Sequence, residues 1–228
     1  MRALLEIFFQ PGILFSGLPE RRAAWVAPLL ANTILLVLST AITVNTLGME
    51  LIMRQRLATS NLSPDQMQQA MQRAASPVTL YVTYAAVALG APLSMLIVAG
   101  VLFAFGMMTS RAPGFGSMLA MVNLAFFPYF VVTVLMTALV MIAAPDKSAL
   151  DINNVLATNV GAFVNKSETS KGLYALYTSL DLLSFIEIGL LSYGFSKLTK
   201  AGFAAGLGAV GGLWVLYVFA KMGLSLFQ

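Results

Sequence analysis

Three stretches of this chain, 25–47, 78–107 and 115–143, contain no Asp, Glu, Lys or Arg. A helix that crosses a bilayer needs about 20 mostly apolar residues. Uncharged runs of this length have no place in a soluble domain, so they set the fold class: an all-α integral membrane protein. They read as spans one to three, Trp25 to Leu47, Val78 to Met107 and Phe115 to Ala143. Two further apolar segments carry isolated charges. Leu173 to Phe195 holds Asp181 and Glu187, and Gly202 to Phe227 holds Lys221. The expected fold is therefore a bundle of five transmembrane helices forming one domain, 25–228. Spans two and three are long enough for strong tilt. Each has a proline near its middle, Pro92 and Pro128. These read as kinks that a membrane bundle tolerates, or as unwound ion sites.

Composition narrows the chemistry. Apolar residues make up 59% of the 228 and charged residues 10%, against about 25% charged in soluble domains. There is no Cys and no His. Disulfide frameworks, thiol and imidazole catalysis, and the usual zinc and haem ligands are all excluded. The expectation is a protein that is not an enzyme and carries no cofactor. The net charge of +4 fits contact with anionic membrane lipid and gives no nucleic-acid signal.

The flanking segments have their own patterns. In residues 1–24, Arg2, Glu6 and Gln10 recur every fourth position opposite Leu4, Leu5, Ile7, Phe8 and Phe9. That is a short amphipathic helix, lying in the membrane interface or packed on the bundle as a lid. It lacks the uninterrupted apolar run and cleavage site of a signal peptide. Between spans one and two, Ser63-Pro64-Asp65-Gln66 reads as a capping box with proline at the first helical position. Met67, Ala70, Met71, Ala74 and Ala75 then follow at helical spacing, so a helix on the soluble side is expected near 64–75. Its Met-lined stripe is expected to pack on the protein itself. Between spans three and four, Leu150, Ile152, Val155 and Leu156 suggest a helical turn or two. Lys and Arg counts are nearly even across the two sides; Arg21-Arg22, directly against the first span, favour a cytoplasmic amino terminus.

The order of these features resembles the Yip1 family of five-span membrane proteins, in its short prokaryotic form. The resemblance is carried by Phe9, Pro11, Phe15 and the Trp25-Val26-Ala27-Pro28 start of the first span. It continues through the capped helix at Ser63 to Ala75 and the run Leu173-Tyr174-Ala175-Leu176-Tyr177-Thr178-Ser179-Leu180-Asp181. Gly189, Gly194 and a Gly-rich last span complete it. It implies five helices, a cytoplasmic amino terminus and a multi-pass protein of the prokaryotic inner membrane. In eukaryotic relatives it implies membrane traffic with Rab-type GTPase partners. Those relatives have a long cytosolic amino-terminal region, whereas about 24 residues precede the first span here, so a GTPase partner is not carried over.

Three functions follow for comparison. The first is a non-enzymatic protein that organises membranes or membrane-protein partners, self-association included. Its face would be the small-residue pairs Gly202/Gly206 and Gly208/Gly212, which let helix backbones approach closely. The second is a small transporter or channel using Asp181 and Glu187, with Asn32, Asn45 and Asn123 in or near other spans, because ionisable groups inside a membrane are functional candidates by default. The third, a paired-carboxylate hydrolase, fits poorly: Asp181 and Glu187 would point about 120° apart and sit about 9 Å apart along one straight helix. The 11 Leu, Ile and Phe of the fourth span favour insertion by roughly 3–7 kcal/mol, and two central acids cancel much of that. Asp181 is therefore expected to be buried and paired with Lys221, the Tyr217 hydroxyl, or the amide of Asn32 or Asn123. Glu187 is expected to find its partner on the second or third span.

Overall fold

The computed structural model describes residues 2–21, 23–57, 62–74, 76–109, 113–152, 154–166 and 168–226. Arg22, Ala75 and Phe227, used in the sequence reading, lie outside the described residues. Those described form α1 (Arg2–Phe9), α2 (Pro11–Ser16), α3 (Val26–Leu47), α4 (Met49–Leu57), α5 (Pro64–Ala74), α6 (Pro77–Met107), α7 (Phe115–Ala143), α8 (Lys171–Tyr177), α9 (Leu182–Thr199) and α10 (Phe203–Ser225), with short 3-10 turns between some of them. No strand occurs among the described residues. Four helices, α3, α6, α7 and α10, are long and apolar enough to cross a membrane. The chain is an all-α, multi-pass membrane protein.

The ends of the long helices follow local chemistry. Gly48 stops α3 at φ 77°, a backbone region that side chains disfavour. Ser76 caps α6 through its hydroxyl, with Pro77 at the first helical position. At α5 the expected capping box is present. The Gln66 amide N–H donates to Ser63 Oγ at 3.3 Å, and the Ser63 N–H donates to Gln66 Oε1 at 2.9 Å. The Met67, Ala70, Met71 and Ala74 stripe turns inward, toward α4 and the start of α6. Within the spans, hydroxyls that would otherwise face lipid donate to carbonyls one turn back, as Thr33, Thr40 and Thr43 do to Leu29, Leu36 and Ser39.

Three expectations need correction. The segment Leu173 to Phe195 is not one helix, because α8 ends at Tyr177 and α9 begins at Leu182. Residues 144–172 hold 3-10 turns at Lys147–Ala149 and Val160–Phe163 rather than a turn or two of helix at 150–156. There, Leu150, Ile152 and Val155 pack on Leu47, Ile52 and Met141. The connection after Gly48 also carries a second helix, α4, whose Gln55 clamps that loop. Its side-chain nitrogen donates to the Leu150 carbonyl at 2.8 Å and its oxygen accepts from the Ile152 N–H at 3.1 Å.

The amino-terminal segment is a lid packed on the bundle. Ile7, Leu14, Phe15 and Leu18 are buried in the main core with Met118, Met121 and Phe195. The Phe15 ring meets Tyr193 edge-on at 6.4 Å, and Phe8 meets Phe127 at 6.0 Å. Gly194 makes this possible: a side chain there would strike Met121 and Phe15. Leu5, Phe9 and Ile13 remain exposed on the outer side of the lid.

Glu6 ties the lid down by bridging Arg2 at 2.8 Å and Arg21 at 2.9 Å. Its hydrogen bond to Arg21, ahead of the other contributions, holds its carboxyl below the ordinary value of 4.5. A lowered folded-state value means that this tether is complete above pH 4.5 and is lost as pH falls through the folded value. Amide exchange in residues 3–16 should therefore accelerate on acidification below that point. Glu6→Gln should exchange fast at every pH; unchanged protection in Glu6→Gln would show that the apolar contacts alone hold the lid.

Candidate functional site

The break between α8 and α9 arises from Thr178-Ser179-Leu180-Asp181. Short hydroxyl side chains compete with helical hydrogen bonding when they bond back to the preceding turn. Thr178 Oγ1 lies 3.0 Å from the Tyr174 carbonyl and 3.1 Å from that of Ala175, and Ser179 Oγ donates to the Ala175 carbonyl at 2.8 Å. Asp181 then restarts the chain as the N-cap of α9, accepting from the Ser184 N–H at 3.0 Å. The opened backbone finds partners in the 154–160 loop. The Val160 N–H donates to the Leu180 carbonyl and the Leu182 N–H to the Thr158 carbonyl, both at 3.2 Å. Asn159 and Asp181 thereby form an isolated antiparallel bridge. Side-chain bonds between Asn154 and Asn159, at 2.7 and 3.2 Å, brace this loop.

Around the break lies a cavity of about 780 Å3. Its walls come from α3 (Ser39, Thr43), α6 (Val98, Leu102), α7 (Tyr129, Thr133, Thr137), α9 and α10, with Ile152, Asn154, Thr158 and Asn159 of the preceding loop. Asp181, Glu187, Tyr217 and Lys221 all line it, so four of the six expected polar residues gather at one site. The antiparallel register of the fourth segment against α10 is as the turn near residue 199 requires. Lys221 reaches 178–179, and Gly206 packs on Ser192.

The pairings inside the cavity differ from expectation. Asp181 is half-buried, and its partners are the Thr158 hydroxyl, which donates to Oδ2 at 2.6 Å, and the Ser184 N–H. Lys221 donates instead to Thr178 Oγ1 at 2.9 Å and Ser179 Oγ at 3.1 Å. It thus plugs the end of α8 beside Asp181 without an ion pair to it. Capping explains the change: once Asp181 sits at a helix start, backbone donors and a loop hydroxyl satisfy it. Glu187 lies one and a half turns into α9. Among the described residues it has no hydrogen-bond or ion-pair partner, from the second and third spans or elsewhere. Asn32 and Asn123 lie outside the cavity and are fully buried. Asn32 Nδ2 donates to the Asn123 carbonyl at 2.8 Å, and Asn123 Nδ2 donates to that of Leu119 at 2.8 Å, which clamps α3 to α7.

Sequence reasoning missed Thr158, Thr178 and Ser179 as partners and Tyr129, Thr133 and Trp214 as lining. The Asp181-x-x-Ser184 spacing of an N-cap was the available signal for the break. Nothing in the sequence singles out Tyr129 or Trp214.

No family model, curated protein or solved structure matches the chain.

The geometry assigns Asp181 a capping role that stability measurements can check. Asp181→Ala should lower the melting temperature in detergent by the equivalent of about 1–2 kcal/mol, the usual loss for a cap. In double-mutant cycles the coupling of Asp181→Ala to Thr158→Val should exceed its coupling to Lys221→Met. The reverse order would restore the direct pairing of Asp181 with Lys221.

Proposed function

We propose that this chain is a five-crossing bundle of the Yip1 type that works without catalysis, organising membrane-protein partners or its own copies through its helix faces. In this reading α8 and α9 together make the fifth crossing. The 18 residues of α9 rise about 27 Å, close to the roughly 30 Å of bilayer hydrocarbon, and α8 supplies the remainder. The amino-terminal lid then lies on the cytoplasmic side of a prokaryotic inner membrane, with anionic lipid as a neighbour of its exposed Leu5, Phe9 and Ile13. A GTPase partner is not part of this reading.

The observation that supports it best is the division of glycines on α10. Gly206 is consumed internally: a Cβ there would collide with the Ser192 carbonyl. Gly202 precedes the helix as its N-cap. Gly208 and Gly212, with Ala204 one turn before, stay exposed on one face, and beyond the helix's own backbone none of the described residues lies within 4 Å of a Cβ at either glycine. Leu207, Val215 and Phe219 flank them on the open surface. Small residues at i, i+4 and i+8 are what close helix approach in a membrane requires.

The two glycine sets should separate in experiment. Gly206→Leu should lower the melting temperature, because backbone blocks the new side chain. Gly208→Leu and Gly212→Leu should leave it unchanged while reducing cross-linked oligomer or co-purifying partner in native membranes. Undiminished cross-linking in both variants would remove the assembly face.

A second reading, a small transporter or channel, is favoured by the cavity and by Glu187, which has no partner there among the described residues. Flux through reconstituted vesicles tests it, and absence of any solute-dependent flux counts against it.

A further inference from the structure

We infer that the cavity is a binding site for a small organic monocation, an ammonium group on an apolar body, with Glu187 as its counter-charge. The inference shares its site with the transport reading but concerns occupancy alone, so it can hold where flux is absent.

The first argument is charge. Three ionisable acids and bases line the cavity, Asp181, Glu187 and Lys221, together with the phenols Tyr129 and Tyr217. Asp181 is satisfied by Thr158 and Ser184, and Lys221 by Thr178 and Ser179. Their opposite charges lie at the same end of the cavity, around the α8–α9 break. Glu187 is six residues further along α9, about 9 Å deeper, and has no partner among the described residues. Glu187 is partly buried, and a carboxylate with little water and no partner is costly unless it takes up a proton or a cation; the adjacent space admits the cation.

The second argument is size and lining. A metal ion needs several oxygens converging at about 2.0–2.6 Å, and no group of three or more metal-ligating side chains occurs among the described residues. A volume of about 780 Å3 falls within the roughly 300–1,000 Å3 of small-molecule sites, which are largely apolar with a few placed polar groups. The cavity that Glu187 lines is also lined by Phe126, Tyr129, Ile188, Leu213 and Trp214. Aromatic faces attract organic cations, and the aliphatic side chains accept an apolar body. The Thr133 hydroxyl, also on the wall, is buried and offers an ammonium N–H a nearby oxygen.

The test uses the full chain purified in detergent, with isothermal titration of n-pentylammonium, 1-pentanol and sodium ion. Wild type should bind pentylammonium at least tenfold more tightly than pentanol, with no heat from sodium. Glu187→Gln, which keeps the side-chain shape, should lose most of that preference while still binding pentanol as wild type does. Equal affinity for the amine and the alcohol in wild type would overturn the inference without reference to any variant. Binding of sodium alone would also overturn it, in favour of an inorganic ion site. Retained amine preference in Glu187→Gln would overturn the role of Glu187. A flux assay on the same preparation separates this outcome from that of transport: amine binding without flux leaves the site standing and removes the transporter.

Discussion

Inside a bilayer no water is available to complete a broken helix, so every backbone donor and acceptor freed there must find a partner in the protein. Burial in the bundle imposes the same demand on residues 178–181, which are buried or half-buried. An interruption in an apolar segment exposes the last carbonyls of α8 and the first N–H groups of α9. Thr178 and Ser179 cover the former with their hydroxyls, Asp181 covers the latter, and Lys221 from α10 donates to both hydroxyls. The 154–160 loop supplies two backbone bonds more. The polar residues that looked like an active group in the sequence are, for the most part, the repair of this break. Glu187 has no share in the repair, and that sets it apart from Asp181.

The same constraint shapes the opposite end of the bundle. Asn32 and Asn123 are fully buried between α3 and α7, yet three of their polar groups are paired through backbone carbonyls and each other. A clamp of this kind fixes the rotation of one helix against its neighbour, because turning either would strand an amide in an apolar core. The polar chemistry of the chain is thus partitioned. Between the long helices, Asn32 and Asn123 orient neighbours, Asp181 and Lys221 mend a backbone, and Glu187 faces open space.

Much of this was legible in the sequence where a signal was long or local. The charge-free runs located α3, α6 and α7 to within a residue or two, and Ser63-Pro64-Asp65-Gln66 placed the start of α5 because caps are read from four adjacent residues. The α8–α9 break was not legible in the same way. Hydropathy averaged over a span sees Leu173 to Phe195 as one apolar segment, and the stop signal is only two hydroxyls and an Asp. The hydroxyl partners of Asp181 and Lys221 come from positions 23 to 43 residues away, so their identity depended on the loop path. The antiparallel register of the fourth segment and α10 follows from the short turn that joins Thr199 to Phe203. The choice between a lid and an interfacial helix at 1–24 turned on Gly194, whose missing side chain leaves room for Phe15, and no local pattern announces that fit.

The lid also has a history that its position imposes. Its buried residues, Leu14 and Phe15, are made first, while Tyr193 and Gly194, against which they lie, are made about 180 residues later. At synthesis rates of roughly 5–20 residues per second, that gap is on the order of 10–40 s. Throughout it the amino-terminal segment has apolar residues on both sides and no finished bundle to receive them. The docking of Phe15 beside Tyr193 therefore comes late, once α9 has been made.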